Sequence, residues 1–200
     1  MTEKIILGID PGTNVMGYGV LRVDERHPSL VVMGVLQLQK FESHYLRLKR
    51  IYERVLGLID QYHPDELAIE SPFVGINPNS MIKLCRAQGV AMAAAVERDI
   101  PIFEYPPAKV KIQIVGNGSA SKEQVAAMVK NILHLTDEDM NSKNDASDAI
   151  AIALTHFYMT SKPEGLLGRK GSNPKIPRSS GSGSSSWSEF VAKNSERVHK

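Results

Sequence analysis

Residues 4–13 read KIILGIDPGT, and they decide the fold. An apolar run of this length that closes with an acidic residue, a proline and a glycine is typical of a buried strand followed by a turn. The run predicts a strand over 4–10, with Asp10 at its end. The glycines that follow flank the turn, and residues 18–23 predict a second strand. The two strands form a β-hairpin.

Apolar periodicity and turn residues predict the remaining elements. Helices show apolar residues on one face at intervals of three and four, whereas strands are short apolar runs bounded by turns. In chain order, the sequence predicts a strand at 30–38, helices at 44–61 and 80–98, strands at 66–70 and 100–105, a helical turn or connector at 110–115, a helix behind the capping box of Ser121 and Gln124, and a final helix after the polar loop 136–144.

Four carboxylates carry the chemistry: Asp10, Glu70, Asp145 and Asp148. Asp10 and Glu70 each end an apolar strand. Asp145 and Asp148 lie three apart at the start of a helix, so both can point from one face. Converging carboxylates repel one another unless a hard cation lies between them, and Mg²⁺ and Mn²⁺ take such oxygen ligands. The set predicts a metal-dependent nuclease, because two such ions can clamp a phosphodiester.

Each of the three acidic motifs, taken alone, also has an explanation that involves no metal ion. Asp10 can cap a hairpin turn, and residues 8–13 can cradle a nucleotide phosphate, as in the actin and sugar-kinase superfamily. That superfamily needs a second phosphate loop and two domains, for which this chain is too short. Glu70 can be a solvated surface acid, and Asp145 or Asp148 can simply complement a helix dipole. The three pieces in this order are far more specific than any one of them.

Basic residues surround the loop 116–119. Lys109, Lys111 and Lys122 flank it, and Lys122 starts a helix whose free amide groups favour anions. They are candidates to neutralise phosphates. Solvated surface lysines are the alternative.

Charge and composition predict two parts. Residues 162–200 hold eight basic and three acidic residues, a net charge of +5, so the rest of the chain is at −3 for a total of +2. We expect a nuclease domain at 1–161 and a disordered basic tail, rich in glycine, serine and proline, at 162–200. No apolar stretch is long enough to span a membrane and no signal peptide precedes the first strand, so we expect a cytoplasmic protein without a membrane partner.

The chain resembles the RuvC-type Holliday-junction resolvases over roughly residues 4–160. The matching motifs span the predicted domain: residues 6–12 followed by 17–20, residues 68–70, 86–90 and 115–120, and finally 145–153. The resemblance implies a ribonuclease-H-like α/β fold, a five-stranded mixed sheet flanked by helices on both sides. The family generally ends soon after the last helix, so the resemblance implies nothing about the tail.

The resemblance also implies roles for individual residues. The four carboxylates would be the catalytic acids that bind Mg²⁺, with two ions per subunit and Mn²⁺ as a substitute. Phe73 would be the aromatic that stacks at the junction. The other residues expected to contact DNA are Lys109, Lys111, Ser119 and Lys122. A homodimer would cut two opposed strands, and RuvA and RuvB would be its branch-migration partners.

The sequence therefore predicts an endonuclease that resolves four-way DNA junctions in homologous recombination and DNA repair. Metal-dependent hydrolysis by paired nicks would leave 5′-phosphate and 3′-hydroxyl ends. Two alternatives remain open at this point. One is a ribonuclease-H-like nuclease that acts on RNA–DNA hybrids, and the other is a non-catalytic junction-binding protein.

Overall fold

The computed structural model describes residues 3–25, 27–72, 77–136, 138 and 144–161. Five strands form one sheet in the order β3-β2-β1-β4-β5. The strands are β1 (Lys4–Asp10), β2 (Val15–Asp24), β3 (His27–Gln37), β4 (Glu66–Glu70) and β5 (Ile102–Tyr105). The first three strands are antiparallel neighbours, while β4 runs parallel to β1 and to β5. The predicted mixed sheet is confirmed.

Helices cover both faces of the sheet. They are α1 (His44–Tyr62), α2 (Pro78–Val96), α3 (Pro107–Val115), α4 (Lys122–Ile132) and α5 (Asn144–Thr160). One core lies between the sheet and α1 and α2 and contains Leu7, Ile9 and Leu67. The other core lies under α3, α4 and α5 and contains Ile6 and Ala68. Because alternate residues of a strand point to opposite faces, Asp10 and Glu70 belong to the α5 face.

Two of the differences between predicted and observed boundaries bear on the site. Strand β2 begins at Val15 rather than at residue 18, so Gly17 lies inside the strand and not beside a turn. A side chain there would collide with the carbonyl oxygen of Asp145, and one at Gly8 would collide with that of Ala149. These glycines let α5 approach the sheet. The predicted connector at 110–115 is instead the C-terminal part of a full helix, α3, which starts at Pro107.

The predicted capping box is present at the start of α4. The Ser121 hydroxyl accepts a hydrogen bond from the Gln124 amide at 3.3 Å, and the Gln124 side chain accepts one from the Ser121 amide at 2.9 Å. This reciprocal cap fixes the start of α4 beside the loop 116–119. Lys122, the first residue of α4, is thereby held next to the N-terminal turn of α5.

The Phe73 prediction and the predictions for 162–200 fall outside the described residues. None of the helices in the described ranges has the length and apolar character needed to cross a bilayer.

Candidate active site

Parallel pairing of β1 and β4 brings Asp10 and Glu70 to the same edge of the sheet. Ile9 pairs with Ile69, so the next residue of each strand is an acid, and both lie on the face that α5 covers. The antiparallel partner of Asp10 is Gly17, against which the start of α5 packs. This close approach carries the first turn of α5, with its two acids, to the ends of the two strands.

A cavity of about 240 Å³ opens at this edge. Three of the four predicted acids line it, namely Asp10, Glu70 and Asp148, together with Lys111 and Lys122. Its remaining walls come from α3, α4 and α5: Pro107, Val110, Val125 and Ala151. Asp145 lies next to the cavity, since its side chain is 48% exposed and lies 3.8 Å from Lys122 Nζ. The structure thus brings the ends of β1 and β4 and the first turns of α5 to one cavity.

The two strand-end carboxyls resist ionisation. Burial raises the pKa of Asp10 to about 8, and the negative charges of Glu70, Asp148 and Asp145 add to this effect. Burial likewise raises the pKa of Glu70 to about 7, with a further contribution from Asp148. Desolvation and like charges both disfavour a carboxylate. Positive charge delivered to this cavity would relieve the repulsion that raises both values.

Lys122 supplies part of that positive charge. Its ammonium group donates a hydrogen bond to Asp148 Oδ2 at 2.8 Å, and this bond raises the pKa of Lys122. The same charge lowers the pKa of Asp10 and of Glu70, and Lys111 also lowers that of Glu70. One lysine does not balance four carboxylates.

The donor set has the chemistry of a magnesium site. It offers only carboxylate oxygens, the ligands that Mg²⁺ and Mn²⁺ prefer, and it lacks the histidine and cysteine ligands of zinc sites. In the described ranges no three acidic, histidine or cysteine side chains are arranged tightly enough to enclose an ion. Lys122 lies among them instead. The chemistry of these carboxylates suits divalent cations. The Lys122 side chain would have to move away from the acids for an ion to bind among them.

The other predicted contact residues lie at different distances from this cavity. Lys111 lines it, whereas Lys109 lies over the ring of Tyr105, 5.7 Å from the centroid. Ser119 is held in the loop by Asn117, whose side-chain oxygen accepts bonds from the Ser119 amide at 3.0 Å and from its hydroxyl at 2.8 Å. The structure therefore groups Lys111 and Lys122 with the acids, and places Lys109 and Ser119 outside the cavity lining.

Sequence reasoning missed Gln88. This residue lies in α2 and is 6% exposed. Its side-chain amide donates to the main-chain oxygen of Glu70 at 3.3 Å and to Glu104 Oε2 at 2.7 Å. It thereby ties the end of β4 to α2. The signal was present, because Gln88 is a polar residue on the alanine-rich buried face of a helix.

Sequence reasoning also missed a second polar cluster on the same face of the sheet. His156 of α5 is fully buried, and its ring lies between Glu66, at the start of β4, and Tyr105, at the end of β5. Lys4 forms an ion pair with Glu66. We call these four residues the His156 cluster.

The matching family model and two bacterial relatives of this chain carry the same description. Residues 6–156 match the family model described as crossover junction endodeoxyribonuclease RuvC. The Bacteroides fragilis protein of that name is 54% identical over 196 residues, 98% of this chain and 96% of the relative. The Porphyromonas gingivalis protein is 52% identical over 98% of this chain and 97% of its own length. The solved structure of Thermus thermophilus RuvC in complex with Holliday junction substrate has a TM-score of 0.70 and 35% identity, covering 78% of this chain and 94% of that one.

The two bacterial relatives also bear on the tail. Each aligns over 98% of this chain, so the aligned region continues beyond residue 161. A segment that the sequence analysis set apart from the family is thus shared with these two relatives.

Proposed function

The chain belongs to the RuvC family of crossover junction endodeoxyribonucleases, and from that premise we propose that Asp10, Glu70, Asp145 and Asp148 are its catalytic, metal-binding residues. The protein is a nuclease of recombination and repair that resolves Holliday junctions, and its ribonuclease-H-like fold agrees with that of the RuvC structures. One observation supports the assignment most strongly: Asp10, Glu70 and Asp148 face the same cavity. There burial and repulsion between the carboxylates raise the pKa of Asp10 to about 8 and that of Glu70 to about 7.

The reaction is metal-dependent phosphodiester hydrolysis. We propose Mg²⁺, with two ions per subunit and Mn²⁺ as a substitute, because the donor set is all carboxylate. Bound divalent ions supply Lewis-acid chemistry, by lowering the pKa of water and neutralising charge on the phosphate. The chain's own residues do the rest. The acids fix the site at the edge of a rigid sheet, and the apolar walls from α3 and α4 limit access of bulk water.

The lysines of the cavity neutralise the substrate. Lys111 and Lys122 share the cavity with the acids, so their ammonium groups lie where the scissile phosphate must enter. Lys122 donates a hydrogen bond to Asp148, and its ammonium group would be available to the phosphate if divalent cations occupied the acids. Attack by water on phosphorus breaks the bond to the 3′ oxygen and leaves 5′-phosphate and 3′-hydroxyl ends.

The assignment is tested by incubating the Asp10→Asn variant with a synthetic four-way junction, with and without Mg²⁺. Cleavage should fall at least about a thousandfold, since the metal site supplies a large part of the stabilisation of transition-state charge. Junction binding should persist, because phosphate contacts supply most of the affinity. Ca²⁺ should support binding with little cutting. A variant that cuts at the wild-type rate would refute the site.

The family membership favours junction DNA over the hybrid-duplex and non-catalytic alternatives. The same assay separates them, since a ribonuclease H would cut an RNA–DNA hybrid in preference to a junction. A binding protein without activity would hold the junction and leave it intact under all metal conditions.

We further propose that the protein is a homodimer, since a two-fold protein matches the two opposed strands of a four-way junction. The alanines at 87, 91, 94 and 95 pack inside the chain, so they are not free for a partner. The outer face of α2 is free to pair: Ile82 is 47% exposed and Gly89 has open space around it. Ile82→Glu should give monomers in light scattering and unpaired nicks, whereas Val31→Glu on β3 should not.

Three further proposals rest on the family alone. RuvA and RuvB are the expected branch-migration partners, and the cytoplasm, where bacterial DNA lies, is the expected location. Phe73 is proposed to stack on junction bases, a contact worth about 1–3 kcal/mol. Phe73→Ala should then slow single-turnover cleavage while the melting temperature stays near that of the wild type. A destabilised variant that cuts normally at low temperature would assign Phe73 to packing.

A further inference from the structure

A second cleft lies at the turn that follows Asp10, on the side of the sheet that α1 and α2 cover. Its volume is about 310 Å³, and its lining is almost entirely polar. Three segments form it: the turn residues Thr13 and Asn14, the start of α1 with His44 and Arg47, and the start of α2 with Ser80 and Lys83. We call it the α1–α2 cleft.

Arg47 is fixed in this cleft by neutral groups. Its Nε donates to the carbonyl oxygen of Phe41 at 2.8 Å, and its Nη1 donates to that of Thr13 at 3.0 Å and to Asn14 Oδ1 at 2.8 Å. These bonds hold the guanidinium in one place without cancelling its charge. The α1–α2 cleft therefore contains a positioned cation that has no counter-ion among its bonded partners.

Other cations of the cleft are also unpaired. Lys83 and the neighbouring Arg86 are exposed on α2, and neither forms an ion pair within the described ranges. Glu42 is the one acid in the lining, and it too forms no ion pair there. On the outer face of α1, by contrast, Lys49 and Arg50 both lie near Glu53. The cleft thus keeps an excess of positive charge.

His44 adds a geometric observation to this charge excess. Its Nε2 atom is buried and has no hydrogen-bond partner, although the described structure pairs nearly every other buried side-chain polar atom. Burial lowers the pKa of His44, and so do the charges of Arg86, Lys83 and Arg47. The Ser43 side chain does not cap α1, and its first turn holds no acid. Free amides and unpaired cations favour an anion, and the unpartnered His44 Nε2 can donate to one in the tautomer that carries its proton there.

We propose that the α1–α2 cleft binds a backbone phosphate of the junction strand being cut. The inference rests on the proposed function and adds a contact residue, Lys83, that the sequence motifs do not include. Thr13 follows Asp10 by three residues, a span of at most about 11 Å of chain. Because the turn after β1 joins the cleft to the acid cluster, we place the bound phosphate on the cut strand, a few nucleotides from the scissile one.

The first test compares two lysine variants of equal charge. Lys83→Gln removes a cation from the cleft, while Lys49→Gln removes one from the outer face of α1, where Lys49 is 64% exposed and lies 3.7 Å from Glu53. Both are combined with Asp10→Asn so that the junction stays intact during binding measurements. Lys83→Gln should raise the junction Kd about five- to tenfold and reduce the slope of log Kd against log salt by about one, and Lys49→Gln should change neither.

The second test locates the phosphate. Single uncharged methylphosphonates are placed at each position within four nucleotides of the cut. One position should weaken binding of the Asp10→Asn protein about five- to tenfold and have no effect on the Asp10→Asn, Lys83→Gln protein, because the partner cation is already absent. If every position weakens both proteins equally, Lys83 contacts no phosphate there and the inference fails.

The outcomes separate this inference from the proposed function. If Lys83→Gln binds as tightly as the control while Asp10→Asn still abolishes cutting, the cleft assignment is wrong and the active site stands. If Asp10→Asn cuts normally, the active-site assignment is wrong whatever Lys83 does. Light scattering on Lys83→Gln is the final control. If the variant is monomeric, its weaker junction binding is explained by loss of the dimer, and the proposed phosphate contact is overturned.

Discussion

The interface between α5 and the sheet carries a polar cluster at each end, and the two behave in opposite ways. At one end, the acid cluster of Asp10, Glu70, Asp145 and Asp148 places more negative charge together than Lys122 can balance. At the other end, the His156 cluster is satisfied. Neutral His156 donates from Nε2 to Glu66, and its Nδ1 accepts the Tyr105 hydroxyl at 2.7 Å.

The contrast teaches how to tell a functional polar cluster from a structural one. Both are built from the same strands, since Glu66 and Glu70 lie on the same face of β4, four residues apart. In the structural cluster each charge has a partner, and the pKa shift favours the charge: burial raises the pKa of Glu66, but hydrogen bonds from His156 and Lys4 outweigh it and lower the pKa. In the functional cluster burial and like charges both raise the pKa values of Asp10 and Glu70. The positive charge that would compensate them comes from a bound ligand.

The matched substitutions Glu70→Gln and Glu66→Gln give the largest expected effect. Glu70→Gln should reduce junction cleavage at least about a thousandfold and leave the melting temperature unchanged or higher, because it removes a repelled charge. Glu66→Gln should leave cleavage at low temperature unchanged. It should cost about 1–2 kcal/mol of stability through a weakened hydrogen bond to His156 and a lost pair with the partly exposed Lys4.

Single-turnover cleavage and thermal melts on the same two preparations decide this comparison. If Glu66→Gln cut no faster than Glu70→Gln while remaining folded, the His156 cluster would belong to the catalytic machinery. The division into a structural and a functional end would then be lost.

The pH dependence of stability should differ in sign between the two ends. Glu70 has a raised pKa in the fold, about 7 against an ordinary 4.5, so its contribution is present below pH 4.5 and is lost as the pH rises towards 7. Glu66 has a lowered pKa, so its contribution is present above pH 4.5 and is lost as the pH falls. Burial also lowers the pKa of His156, which resists protonation in the fold and costs stability below about pH 6.5.

Chemical denaturation in EDTA from pH 4 to pH 8 measures these signs as differences from wild type. Relative to wild type, Glu70→Gln should become more stable as the pH rises from 4.5 to 7. Relative to wild type, Glu66→Gln should lose stability as the pH rises towards 4.5, and its deficit should stay nearly constant above that pH. Parallel curves for the two variants would show that the two glutamates have similar environments.

The sequence predicted one end of this interface much better than the other. The acids were recognisable because each stands where an apolar run stops or a helix starts, and parallel strands must end at one edge. The His156 cluster was invisible, because it joins residues 4, 66, 105 and 156 through register and helix placement, which no local pattern encodes.

Close packing was likewise beyond the local pattern. A glycine that follows a turn and a glycine that admits a helix look the same in sequence, so Gly17 was assigned to the turn region. Only the position of the Asp145 carbonyl oxygen shows that a side chain at Gly17 is excluded. In the same way, Lys109 and Lys111 were equivalent candidates until α3 placed Lys111 in the cavity and Lys109 over Tyr105.

Divalent cations should stabilise the acid cluster and leave the His156 cluster unaffected. At ten times its Kd, a ligand of the folded state adds about 1.4 kcal/mol, or roughly 3–5 °C in melting temperature for a chain of this size. Mg²⁺ should therefore raise the melting temperature of wild type and of Glu66→Gln alike at pH 7, and that of Glu70→Gln much less. An equal rise in all three proteins would indicate binding elsewhere.

The smallest effect is expected from a substitution at Gln88. It tests whether activity requires the hydrogen bond that constrains the end of β4 next to Glu70. Its amide bonds the Glu70 carbonyl oxygen at 3.3 Å and Glu104 Oε2 at 2.7 Å, and Glu104 is exposed and can be hydrated instead. Gln88→Leu should therefore cost no more than about 1.5 kcal/mol of stability. Because the end of β4 is then less constrained, kcat should fall about tenfold and the Mg²⁺ concentration for half-maximal rate should rise, with junction Kd unchanged. A purely structural Gln88 predicts a lower melting temperature with the same Mg²⁺ dependence, and that result would place it with the His156 cluster among the residues that only support the fold.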